Sequence, residues 1–194
     1  MLNYFELTKS KVRRKILSYF FSNTVQELYL REIARLIDED PGNLSKELSK
    51  LEKEQLFISR FRGNQKYYYL NKEYPLFNEI KSVIFKTIGV KGLIQNLVTY
   101  SNGIIAAFIY GSYANNTEKS YSDIDLCLII DNNVFNDDAF VIEINKIEKT
   151  ISRDIEYIYY SEVEWNQKVK SQDSFILNLI SQPKIILIGE IAGL

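Results

Sequence analysis

Between Ile104 and Ile130 the chain is committed to one local arrangement: a strand, a glycine turn, and a second strand that opens with two carboxylates. Ile104 to Tyr110 is an apolar, β-branched and aromatic run of strand length, and it stops abruptly at Gly111-Ser112 before a polar spacer. Gly111 has no Cβ, so its backbone can take unusual angles and its N–H can approach an anion; Ser112 adds a hydroxyl and a second N–H. Ser122-Asp123-Ile124-Asp125-Leu126 then begins a strand of about Ser122 to Ile130, in which alternation puts Asp123 and Asp125 on one face. Such a pair suits Mg²⁺, which is usually held by one or two carboxylates plus substrate phosphates. Two ions about 3.5–4 Å apart could activate an attacking oxygen and neutralise charge on a leaving pyrophosphate.

Composition narrows the chemistry further. The 194 residues include no histidine, which excludes His-based zinc sites and Ser-His or Cys-His catalysis. Proton transfer is left to carboxylates and metal-bound oxygens. The single cysteine, Cys127, sits in the apolar stretch Leu126 to Ile130 and reads as a small buried hydrophobe, with no disulfide framework. The length fits one large domain or two small ones with enough apolar content for a core. Met1-Leu2-Asn3-Tyr4-Phe5-Glu6 lacks the basic start and apolar core of a signal peptide, and no apolar run approaches about 18 residues. A cytoplasmic location without a membrane is therefore expected.

The near-neutral net charge hides an asymmetry. Residues 1–90 carry 16 Lys and Arg against 11 Asp and Glu, and residues 91–194 carry 8 against 14. The basic half reads as three helices and a hairpin over residues 10–70. Val12, Ile16, Leu17, Tyr19 and Phe20 give a first helix its apolar face, and Leu30, Ile33, Ala34 and Ile37 a second. Asp40-Pro41 supplies a cap and a first-turn proline for a third helix, which buries Leu44, Leu48 and Leu51 and turns Asn43, Ser45, Lys46, Ser49 and Lys50 outward. Phe57 to Arg62, a Gly63-Asn64 turn and Gln65 to Leu70 form the hairpin, whose basic residues Arg60, Arg62 and Lys66 have no acids nearby in the sequence. Alternation sets Tyr68 opposite Tyr67 and Tyr69, and the three are read mainly as core. Pro75 to about Thr87 reads as an amphipathic connecting helix that docks on the first helix or on a second subunit.

Gly111-Ser112, the spacer and Asp123-Ile124-Asp125 resemble the signature of the DNA polymerase β-type nucleotidyltransferases, and most of all its small prokaryotic, minimal members. The resemblance implies a mixed sheet flanked by helices, with Gly111 and Ser112 on the triphosphate of an NTP, ATP by default, and Asp123 and Asp125 on Mg²⁺. It also implies a third carboxylate on a neighbouring strand, as metal ligand or base. Asp154 and Glu156 alternate onto one face of the candidate strand Asp154 to Tyr159; Glu156, flanked by Ile155 and Tyr157, is preferred, with Asp154 the alternative. Residues 160–189 resemble a subgroup that joins this domain to a winged helix, in which the third position is often not acidic. Residues 10–71 in turn resemble the winged helix-turn-helix of prokaryotic regulators, including the arsenic-repressor type. By that resemblance Asn43, Ser45, Lys46, Ser49 and Lys50 face double-stranded DNA, Arg60, Arg62 and Lys66 make wing contacts, and the chain forms a homodimer.

The expectation is an α+β protein of three parts: a winged helix-turn-helix at 1–74, a connecting helix at 75–90 and a nucleotidyltransferase domain at 91–194. Three functions stay open. One is a DNA-binding nucleotidyltransferase, whose acceptor could be a protein such as a partner toxin, an RNA end or a small molecule. The second is a nucleotide-sensing transcriptional regulator without turnover. The third is a transferase whose winged helix binds protein.

Overall fold

A computed structural model describes residues 9–119 and 122–190, so the Met1 to Glu6 segment lies outside the described residues. The chain forms two compact units, one running to Leu93 and including Lys149–Ser152, the other made of Ile94–Glu148 and the residues from Arg153 onward.

In the first unit, α1 (Lys11–Ser22) starts where the Ser10 hydroxyl accepts a bond from the Arg13 N–H, and it buries Ile16, Leu17, Tyr19, Phe20 and Phe21. The short strand β1 (Leu28–Tyr29) leads into α2 (Leu30–Leu36). Asp40 caps α3 (Pro41–Lys53) by accepting from the Asn43 N–H at 2.9 Å, and Leu44, Leu48 and Leu51 are fully buried, as their spacing requires. Strands β2 (Phe57–Arg62) and β3 (Gln65–Leu70) pair antiparallel, and β1 adds to β3, giving a three-stranded sheet of order β1-β3-β2. Tyr68 enters the core while Tyr67 and Tyr69 stay half-buried on the opposite face. Helix α4 (Phe77–Thr87) turns its apolar side to α1, with the Phe77 and Phe21 rings 5.5 Å apart and Ile84 fully buried.

Helix α5 (Val90–Tyr100) leads into the second unit. There β4 (Ile104–Tyr110), β5 (Ile124–Ile130), β6 (Ile155–Ser161) and β7 (Ile185–Ile188) form a sheet of order β6-β5-β4-β7. The β4 pairings are antiparallel and β5–β6 is parallel, so the sheet is mixed, as expected. A parallel neighbour needs a crossover, which α7 (Asp137–Ile151) supplies. Helices α8 (Glu162–Lys170) and α9 (Ser174–Ser181) are started by Ser161, in a capping box with Glu164, and by Asp173. They place Trp165, Ile176 and Leu179 against Ala106, Phe108, Cys127 and Ile129. Trp165 is fully buried, its ring centre 6.2 Å from that of Phe108, and truncating it to alanine should cost about 3–5 kcal/mol. Among the described residues no helix is long and apolar enough to cross a membrane.

Candidate functional site

The site grows from the pairing of β4 with β5. Tyr110, the last residue of β4, stands opposite Asp125. Gly111 then turns the chain with φ +66° into the single-turn helix α6 (Gly111–Ala114). The backbone angle favours glycine, and a Cβ at Gly111 would also push the Asp125 carboxylate aside. The first N–H groups of a helix have no intrahelical acceptor, so α6 offers the backbone donors of Gly111 and Ser112 next to that carboxylate. Asn115 closes the turn, its backbone N–H and its side-chain amide both donating to the Gly111 carbonyl.

Parallel pairing places Glu156 beside Asp125 in register. Asp154 lies one residue before β6, and its carbonyl accepts from the Ile124 N–H at 3.0 Å. Asp123 and Glu156 are exposed and Asp125 is half-buried. Burial first, then the charge of Glu156, then that of Asp123, push the Asp125 carboxyl above its ordinary range. Burial, followed by Asp125, pushes the Tyr110 phenol up to about 12. The end of the sheet is therefore a convergence of three like charges beside a turn of backbone donors. A divalent cation fits this arrangement, since it would supply the opposite charge that the carboxylates lack. Among the described residues no three such side chains close around one metal position.

Cys127 is fully buried, and burial pushes its thiol up to about 12, which removes it as a nucleophile. Two residues near the site carried no sequence signal. Arg153, only 8% exposed, donates from Nη1 to the carbonyls of Lys119 at 2.8 Å and Ser122 at 3.2 Å. The buried Tyr113 hydroxyl on α6 has no hydrogen-bond partner among the described residues; burial raises its pKa, with Arg153 acting against and Glu118 and Asp123 adding.

In the first unit Asn43, Lys46, Ser49 and Lys50 are exposed on α3 and Ser45 is half-buried. Ser49 Oγ bonds back to the Ser45 carbonyl, and Lys50 Nζ lies 3.4 Å from Glu47. Glu47 is itself buried and held by Arg13 Nε at 2.5 Å, while Glu54 takes the guanidinium end of Arg13. The expectation that the hairpin cations have no acids near them is overturned. The Glu27 carboxylate binds both Arg60 and Arg62, and Glu52 binds Lys66 at 2.7 Å. The cause is topological: β1 joins the sheet beside β3 and carries Glu27 to the face of Arg60 and Arg62, and α3 brings Glu52 to the other face. The same cations lie over aromatic rings, Arg60 on Tyr69, Arg62 on Tyr67 and Lys66 on Tyr68.

The polymerase β nucleotidyltransferase family model matches residues 92–188, half of the chain. Among solved structures, a toxin–antitoxin complex with AMP-PNP is 18% identical, with 52% of this chain and 73% of that one covered and a TM-score of 0.36. A mutant of Lactococcus lactis ZitR is 20% identical, with 48% of this chain and 63% of that one covered, less than two thirds of its length, and a TM-score of 0.36. No curated protein sequence matches the chain. The matched segment contains the mixed sheet, the Gly111-Ser112 turn and the converging carboxylates, and the chain belongs to the polymerase β nucleotidyltransferase family.

Proposed function

We propose that the chain transfers a nucleotidyl group from an NTP to an acceptor at the end of the four-stranded sheet, and that its first unit is a winged helix-turn-helix that binds duplex DNA. One observation carries the first part: beside a glycine turn that offers backbone donors, burial and then the charges of Glu156 and Asp123 push the Asp125 carboxyl up, with Glu156 in register beside it. Gly111 and Ser112 orient the triphosphate. Asp123 and Asp125 hold Mg²⁺, with Glu156 completing the set, and ATP is the nucleotide of first choice. When bound, the cation neutralises charge on the phosphates. An acceptor oxygen bonds to the α-phosphorus and loses its proton, and the bond to the pyrophosphate breaks with its electron pair. The proton passes to a carboxylate, and exposed Glu156 is our candidate for it.

The DNA part is supported by the order of three helices and an antiparallel hairpin, and by the outward row Asn43, Lys46, Ser49 and Lys50 on α3. That helix enters the major groove and the hairpin follows the backbone.

The test is a labelled-NTP transfer assay with cell extract as acceptor source and Mg²⁺ present, run beside Asp123→Asn. Labelling by the wild type and not by the variant is expected. Equal labelling by both would sink the site assignment. Labelling by neither would favour a nucleotide-sensing regulator, whose DNA affinity should then change with ATP.

A further inference from the structure

We infer that Arg153 is a positioning residue for Asp123, an inference that rests on the proposed role of Asp123 as a cation ligand. Burying a guanidinium is unfavourable unless its donors are satisfied, and Arg153 is buried at the junction between α7 and β6. It spends that charge on backbone: Nη1 donates to the carbonyls of Lys119 and Ser122. Lys119 and Ser122 are also tied to each other, Ser122 N–H to the Lys119 carbonyl at 3.1 Å and Lys119 N–H to Ser122 Oγ at 2.9 Å.

Asp123 comes next in the chain, and the residue after it is held from the same place. The Ile124 N–H donates to the Asp154 carbonyl at 3.0 Å. Asp123 is therefore bracketed by two consecutive residues, Arg153 gripping the carbonyl before it and Asp154 the N–H after it. Tyr113 supplies an independent sign of this convergence, because its buried hydroxyl feels both the Arg153 guanidinium and the Asp123 carboxylate. Asp125 and Glu156 owe their places to strand register, whereas Asp123 precedes β5 and lacks a ladder partner of its own. The Arg153-Asp154 bracket does for Asp123 what the sheet does for the other two. With the backbone on either side of it fixed, the Asp123 carboxylate has only its own side-chain torsions left to order when it meets a cation.

The experiment is Mn²⁺ binding followed by electron paramagnetic resonance in the presence of ATP, on the full chain. The proteins are wild type, Asp123→Asn, Arg153→Met, Arg153→Lys and Leu179→Ala, the last a core variant in α9 matched for lost stability by thermal melting. Loss of a residue that orients a metal ligand typically weakens metal binding about 10–100-fold. Arg153→Met is expected to weaken Mn²⁺ binding by about 10-fold or more, Arg153→Lys by less, and Leu179→Ala not at all. Arg153→Met binding like wild type while Asp123→Asn loses the ion would overturn the inference and leave the site standing. An equal loss in Leu179→Ala would overturn it as well, since instability would then explain the effect. Asp123→Asn binding like wild type would remove the site itself.

Discussion

The two units of this protein gather charge in opposite ways. On the hairpin of the first unit each cation already has its acid: Arg60 and Arg62 share Glu27, and Lys66 takes Glu52. At the end of the second unit's sheet three acids meet, and the carboxyl of Asp125 is driven up by burial and by the other two. A neutralised surface can hold its shape without a ligand. A half-buried carboxylate beside two others opposes folding in its ionised form, and a partner of the opposite sign would relieve it. On the proposed function, the chemistry belongs to Asp123, Asp125 and Glu156, and the hairpin, its cations already paired, makes a weak, salt-sensitive contact.

The largest expected effect is on transfer. Asp123→Asn or Asp125→Asn should lower the rate of labelled-nucleotide incorporation by about 10²–10³-fold, as when a group that stabilises developing charge is removed. Arg60→Ala and Arg62→Ala should leave that rate unchanged; a comparable loss would erase the contrast between the units.

Two glycines give the next comparison. Gly111 and Gly63 both have positive φ, +66° and +58°, but only Gly111 has a neighbour in the way of a Cβ. Gly111→Ala should cost about 3 kcal/mol and Gly63→Ala about 1 kcal/mol, read from urea unfolding. Equal costs would mean that the Asp125 carboxylate is not held against the turn.

The carboxylates of the two units should also answer pH with opposite signs. Glu47 is held below its ordinary value of 4.5: burial opposes the shift, and the hydrogen bond and charge of Arg13 outweigh it. Its stabilising contribution is present above 4.5 and is lost as pH falls through the lowered folded value. Asp125 is raised above 3.8, so its ionised form opposes folding at neutral pH, and the penalty disappears as pH falls through the raised value towards 3.8. Glu47→Gln should therefore destabilise the protein at pH 7 by about 1.5–3 kcal/mol, the worth of a charged hydrogen bond. Asp125→Asn should stabilise it at pH 7. Both differences should shrink in acid, and thermal melts across the range would show it; an Asp125→Asn protein less stable than wild type at pH 7 would contradict the reading.

The smallest effect concerns the hairpin. Releasing Arg60 and Arg62 by Glu27→Gln should tighten duplex DNA binding by no more than about fivefold, since an exposed ion pair is worth about 1 kcal/mol at most. Fluorescence anisotropy at several salt concentrations checks this, and weaker binding by the variant would show that Glu27 orders the arginines for DNA.

The strand, turn and paired aspartates could be read directly because their signal is local: apolar runs, a glycine at the break and a period of two from Asp123 to Asp125. Helix α3 was legible for the same reason, through Asp40-Pro41 and the spacing of Leu44, Leu48 and Leu51. Preference for Glu156 over Asp154 had a sequence basis, but its register opposite Asp125 depends on how the α7 crossover seats β6, which no local pattern encodes. The acid that neutralises Arg60 lies 33 residues away in the chain and arrives through a two-residue strand too short to announce itself. Arg153 was hidden likewise, because it grips the chain before Asp123 through backbone carbonyls, which every residue has.

On the proposed function, the acidic end of the four-stranded sheet takes a nucleotide together with a divalent cation. Isothermal titration of ATP into the full chain, with Mg²⁺ and then with EDTA, and into Asp125→Asn, tests it most directly. Binding that requires Mg²⁺ and is lost in the variant is the predicted result. ATP binding of equal strength in EDTA and in Asp125→Asn would contradict the account.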